Sequence, residues 1–274
     1  MRLKMKKEQK AFTLVELLVV ISIIAILLSI LMPALGKVRK QAQGVICLTN
    51  ARSLGQAAMT YANDNEGLYP RDMTYQNGVA TCKAPYWDDR LFPYVGKNYA
   101  TFLCPAVMNT PEAQKSLAYV KAHPGVNSDP TVACGGQGGM NVKCYRINSY
   151  LGGDKMDPPM AGFIGTGRPW SISNIRQPSA VIAFVDSDVQ YFSYRWSNGL
   201  RVFTDLFPRH NIELLEPKAF VGSYRASTGS SGFSFADGHS GLISWEFSPK
   251  TAGKPPKPDL RIYPGNPADL PRGY

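Results

Sequence analysis

Between Phe12 and Met32 the chain reads FTLVELLVVISIIAILLSILM, an apolar run of 21 residues broken by one acid, Glu16. A helix rising ~1.5 Å per residue needs roughly 20 residues to cross ~30 Å of hydrocarbon, so this run is long enough to span a bilayer. Arg2, Lys4, Lys6, Lys7 and Lys10 precede it, and no cation follows until Lys37. By the positive-inside rule that asymmetry sets the N-terminus in the cytoplasm and everything after the span outside it. A secretory signal peptide fits poorly, because the apolar core is long and is followed by Pro33-Ala34-Leu35-Gly36 rather than a small-residue cleavage site. An ordinary anchor fits the length but leaves Glu16 unexplained, since a carboxylate within a span costs ~2.5 kcal/mol or more and signals function.

The segment Lys10-Ala11-Phe12-Thr13-Leu14-Val15-Glu16 resembles the prepilin processing motif of type IV pilins and type II secretion pseudopilins. The resemblance implies that a membrane peptidase cuts after Ala11 and that the new N-terminal Phe12 is methylated. It also implies that Glu16, as fifth residue of the mature chain, neutralises the amine of a neighbouring subunit in a stacked helix bundle. Ala11 stands where the family most often has Gly, and both are small. Pro33 falls where many pilins place a helix-kinking proline, which removes a helix hydrogen bond and bends or locally melts the helix.

Past Pro33 the pattern turns amphipathic. Leu35, Val38, Ala42 and Val45 recur at helical spacing, then Cys47, Ala51, Leu54, Ala58 and Tyr61 do so on a shifted face. The helix is expected to stop near Asn63-Asp64-Asn65-Glu66-Gly67, ahead of Pro70. The sequence thus divides into a basic leader (1–11), a transmembrane and assembly helix (12–63), a globular head (64–248) and a Pro-rich tail (249–274). In the head, Ala180 to Val185 reads as a buried strand, and Gly232–Phe235 with Leu242–Trp245 as a hairpin turning at Asp237-Gly238. The expected fold is α+β and pilin-like, with an antiparallel sheet laid on the amphipathic half-helix. Long loops are expected at 71–90, 108–146 and 196–230.

A second resemblance covers the head. Cys47-Leu-Thr-Asn50, Asn65-Glu-Gly-Leu-Tyr-Pro70, Phe102-Leu-Cys-Pro105, Arg209-His210 and Phe235-Ala-Asp-Gly-His239 are similar to the prepilin-type proteins named for a His-x9-Asp-Gly motif. Here 26 residues separate His210 from Asp237, and a Gly- and Ser-rich insertion is expected to have lengthened that loop.

The net charge of +10 falls to +6 without the leader, and no basic stripe with interleaved aromatics marks a nucleic-acid face. Five cysteines (Cys47, Cys82, Cys104, Cys134, Cys144) follow the span, where disulfides can persist, and their odd number leaves at least one unpaired. Cys134 and Cys144 bracket a Gly-rich stretch and are the favoured pair. Asp186, Asp188, Asp237 and His239, with His210, are candidate ligands for a divalent metal such as calcium, which the heads of some secretion pseudopilins bind. The plainer reading, preferred here, makes Asp237-Gly238 a turn and Asp186 a strand-end cap, with no cofactor. No Gly-x-Ser-x-Gly, P-loop or His-Glu-x-x-His is present, so an enzyme is not expected.

Two functions remain. One is a structural subunit, major or minor, of a type II secretion pseudopilus or type IV pilus-like filament. Its partners would be itself, other pilin-like subunits, prepilin peptidase and the inner-membrane assembly platform. The other is a displayed binding module whose aromatics (Tyr86, Trp87, Tyr94, Trp170, Tyr191, Tyr194, Trp196) contact a cargo, glycan or surface.

Overall fold

The computed structural model describes residues 13–71, 74–76, 79–81, 87–105, 108, 114, 117–118, 121–122, 144–148, 151–152, 169–186, 210–214, 220–221, 224–225 and 227–247. The leader and the Pro-rich tail lie outside the described residues. The chain divides into two units, 1–41 and 42–274.

Helix α1 runs from Leu14 to Asp64, through Pro33. Of the two outcomes expected at Pro33, a bend or local melting, the helix is not melted: residues on both sides keep helical structure. Proline deletes its own N–H bond, yet its fixed φ is itself helical, and Leu31, Met32, Ala34 and Leu35 around it are strong helix formers. The start of α1 is capped by Thr13 and Glu16, which are bonded reciprocally. Thr13 N and Oγ1 donate to Glu16 Oε2 at 2.8 and 2.7 Å, and Glu16 N donates to Thr13 Oγ1 at 3.3 Å. This is a capping box, with the carboxylate favourably placed at the positive end of the helix dipole. At the other end Glu66 and Gly67 take positive φ, 55° and 76°, and Gly67 N donates to Ala62 O at 2.8 Å. That closes the helix within the stretch expected to stop it.

Within the second unit, α1 buries Gly44, Cys47, Ala51, Leu54, Gly55, Ala57, Ala58 and Ala62. Cys47, Ala51, Leu54 and Ala58 belong to the stripe read from the sequence, whereas Leu35, Val38, Ala42 and Val45, read as its first half, are exposed; of the buried positions all but Leu54 are small. Small residues bring the helix backbone close to the sheet.

The main sheet is antiparallel and five-stranded: β3 (Tyr145–Ile147), β4 (Ile182–Asp186), β5 (His210–Leu214), β8 (Ser227–Phe235) and β9 (Ser240–Phe247). Outside it lie two small pairs, β1 (Thr74–Gln76) with β2 (Val79–Thr81), and β6 (Phe220–Val221) with β7 (Tyr224–Arg225). A short helix, α2 (Trp87–Leu91), is followed by 3₁₀ turns at Phe92–Val95 and Tyr99–Phe102. The expected loops at 71–90 and 196–230 therefore contain β1, β2 and part of α2, and β5 to β7 with the start of β8. Of the loop expected at 108–146, most lies outside the described residues, and its end enters β3.

β8 is the organising strand. β9 pairs with it from Ser227↔Phe247 to Ser234↔Ser240, turning at Asp237-Gly238 where Gly238 has φ 84°. β4 and β5 share its other edge, with Val185 opposite Phe233 and His210 opposite Ser230. β4 is buried along its whole length, as its unbroken apolar run requires. Trp87 packs on Phe102 and Phe184, with ring centres 5.7 and 5.4 Å away, and closes the core beside Leu91, Leu103 and Ile147.

Candidate functional site

Among the described residues, two places carry groups that local structure alone does not require. The first is the N-terminal half of α1. Every large apolar side chain from Leu14 to Met32 is exposed. Its most apolar 18-residue window has mean hydropathy 3.0 and no buried residue, making α1 long and apolar enough to cross a membrane. An apolar surface of that extent on all sides of a helix requires lipid or other helices around it. Glu16 sits at its N-terminal end, engaged by Thr13. Ala11 and Phe12 lie outside the described residues.

The second is a buried cluster where the sheet meets α1. β4 ends at Asp186 and β5 begins at His210, so the shared edge of β8 is interrupted near Gly232. The Asp186 carboxylate fills that interruption: Oδ2 accepts from Gly232 N at 2.9 Å and from His210 Nε2 at 3.0 Å. A ladder N–H left without a strand partner is thus satisfied by a side chain. Asp186 Oδ1 is buried without a hydrogen-bond partner among the described residues. The His210 ring rests against Gly44 of α1, where an added Cβ would come within 3.7 Å of it. Cys104 Sγ lies 4.0 Å from His210 Nε2, and Cys47 Sγ is 2.7 Å from Cys104 Sγ. Tyr145 Oη donates to the Cys47 carbonyl at 2.9 Å.

Burial alone would lower the His210 pKa. That is the largest single influence, but the Asp186 hydrogen bond, the Cys104 contact and the Asp186 charge jointly outweigh it and hold the imidazolium up at about 9. Hydrogen bonding to Cys104 and burial push the Cys47 thiol far above the ordinary range. The arrangement does not form a nucleophilic relay. A Cys-His-Asp relay needs the two ring nitrogens to serve different partners, whereas here Nε2 faces both the carboxylate and the sulfur. All four side chains are also buried.

Asp237 and His239 are elsewhere. Asp237 Oδ1 accepts from His239 N at 3.1 Å and from the His239 ring, which stacks on Phe235 at 4.1 Å. This is an exposed turn that caps itself. Ala236 N bonds Val181 O at the start of β4, while Asp186 ends that strand, so the sheet holds Asp186 and Asp237 at opposite ends of β4. His210 pairs with Asp186, not Asp237. Asp188 and Cys134 lie outside the described residues, and Cys144 is buried immediately before β3. Of the loop aromatics, Trp87 is core, Tyr94 and Trp170 pack against the core, and Tyr86, Tyr191, Tyr194 and Trp196 lie outside the described residues.

Residues 6–32 match the family model described as the prokaryotic N-terminal methylation motif. That motif is characteristic of type IV prepilin-like proteins. Neither the curated proteins nor the solved structures gave a match.

Proposed function

We propose that the chain is a structural subunit of a type IV pilus-like filament or a type II secretion pseudopilus. It is cut between Ala11 and Phe12 by prepilin peptidase, methylated at Phe12, and drawn from the membrane into a helix bundle by an inner-membrane platform. Before cleavage the N-terminus is cytoplasmic, and the head is outside the inner membrane. One observation carries this reading: the methylation motif of residues 6–32 runs directly into a helix whose apolar side chains are exposed on every face. A bilayer accepts such a surface, and so does a bundle of identical helices.

The experiment is mass spectrometry of the membrane fraction, followed by imaging of sheared filaments with and without the gene. The expected chain begins at N-methylated Phe12, and Ala11→Leu abolishes that species because the peptidase pocket must admit the side chain before the scissile bond. Intact Met1 termini in cells with active prepilin peptidase would refute the proposal.

A further inference from the structure

The cysteine pair at the centre of the buried cluster goes beyond the filament role, although its chemistry rests on the head lying outside the inner membrane. Cys47 is on the buried face of α1. Cys104 follows the 3₁₀ turn at Tyr99–Phe102, 57 residues on. Both are fully buried, with sulfurs 2.7 Å apart. Two independent hydrogen bonds fix the backbones that carry them. Tyr145 Oη holds the Cys47 carbonyl at 2.9 Å, and Asn50 Nδ2, one turn along α1, donates to Leu103 O at 3.1 Å.

Cys47, Cys104 and His210 also have the makings of a metal site, with ligand atoms all within 4.8 Å of one another. The distances favour a bond between the sulfurs instead. Tetrahedral zinc, with Zn–S of ~2.3 Å, holds its thiolates roughly 3.7 Å apart. A disulfide holds them at about 2.0 Å. The 2.7 Å separation is closer to the second value. His210 Nε2 is also turned to the Asp186 carboxylate at 3.0 Å, a contact that metal ligation would have to break.

We propose that Cys47 and Cys104 form a disulfide that fastens α1 to the head. The two thiols give up two protons and two electrons as the S–S bond forms. The electrons pass to a disulfide donor, a thiol-oxidising protein of the envelope, which is reduced to a dithiol. The bond ties the helix that anchors the subunit to the layer of the head under it. A pull on the helix is then carried covalently instead of by small-residue packing alone.

The test uses the full chain. Membranes are quenched in acid, denatured with an alkylating agent, and digested with trypsin without reduction. Cleavage after Lys40, Arg52, Lys97 and Lys115 puts Cys47 in peptide 41–52 and Cys104 in peptide 98–115, apart from the other three cysteines. The expected product is these two peptides linked, at their summed mass less two hydrogens, and lost on reduction. In parallel, purified chain in detergent is reduced, then returned to a glutathione redox buffer, and its zinc content is measured. Re-formation of the same link supports the proposal. Both thiols alkylated from cells, with the link forming in the purified chain, would overturn the extracytoplasmic placement and with it the disulfide in cells. No link in either arm would overturn the disulfide while leaving the Phe12 terminus to decide the filament reading. Stoichiometric zinc with both thiols alkylatable after chelation would also overturn it.

Discussion

Asp186→Ala would test whether the interruption between β4 and β5 is held by its carboxylate. The substitution removes the acceptor of two buried hydrogen bonds, from Gly232 N at 2.9 Å and His210 Nε2 at 3.0 Å. Stripping one partner from a buried ion pair costs ~3–5 kcal/mol, and an orphaned N–H adds ~1–3 kcal/mol. The imidazolium can shed its proton, which relieves part of the first cost, so the expected loss is about 3 kcal/mol. For a domain of ~150–250 residues each kcal/mol moves Tm by ~2–4 °C, giving a fall of roughly 6–12 °C. The pair also predicts a pH dependence. The folded-state pKa of His210, about 9, lies above its ordinary 6.5. Its contribution, at most ~3 kcal/mol, is therefore complete below pH ~6.5 and lost as pH rises through ~9. Far-UV circular dichroism melts of the full chain in detergent, from pH 5 to 10, read both effects. Asp186→Asn keeps an acceptor for Gly232 N but removes the charge, so it should lose about half as much stability and flatten the alkaline slope. An Asp186→Asn protein with the wild-type slope, or an Asp186→Ala protein melting with wild type, would refute the reasoning.

Gly55→Ala places a methyl against Ser234 Oγ where helix and sheet meet, and overpacking there should lower stability by ~1–3 kcal/mol in the same melts. Gly36→Ala, with nothing within 4 Å of the added carbon, is the matched control and should be neutral. Calcium and chelator should leave the melting curve unchanged, because the sheet separates Asp186 from Asp237; a calcium-dependent rise abolished by Asp237→Asn would count against that expectation. Glu16→Gln should be cleaved and inserted normally but enter filaments poorly, which immunoblots of sheared filaments against the membrane fraction would show.

Some of this was legible in the residues because the signal was local. The apolar run to Met32, the stripe from Cys47 to Ala58 and the continuous apolar β4 each state their surroundings in their own composition. Asp237-Gly238 states its turn. β8 does the opposite: Ser227-Thr-Gly-Ser-Ser-Gly232 has the composition of a flexible loop, yet it is paired on both edges. Its residues are small because the helix lies close against them, with a Cβ at Gly232 coming 3.3 Å from Leu48 Cα. That demand comes from a helix almost two hundred residues earlier, so no window of sequence contains it. The same holds for His210 with Asp186 and for Cys47 with Cys104. Each partner is ordinary alone, and only the tertiary fold brings them together. The Thr13–Glu16 cap is different. A Thr-x-x-Glu ahead of an apolar run is a readable helix start, and the methylation motif overlies the same residues.

That overlap bears on what Glu16 is for. If the capping box were its whole role, a glutamine would serve nearly as well, since an amide oxygen also accepts from Thr13 N and Oγ1. A carboxylate adds charge, and next to a bilayer's apolar core charge is costly unless something positive meets it. The helix N-terminus supplies roughly half a unit, and cleavage before Phe12 would supply a whole one as a free amine. In the described residues Glu16 Oε2 takes both Thr13 contacts. The other oxygen is the one a neighbouring subunit's amine would need. Cap and intersubunit pair are therefore compatible, and two substitutions separate them. Thr13→Ala removes the cap donor Oγ1 and leaves the charge, so it should cost ~1 kcal/mol of helix start and spare filament entry. Glu16→Gln keeps the cap and removes the charge. Should both variants assemble alike, or Thr13→Ala be the more defective, the carboxylate is a cap and nothing more.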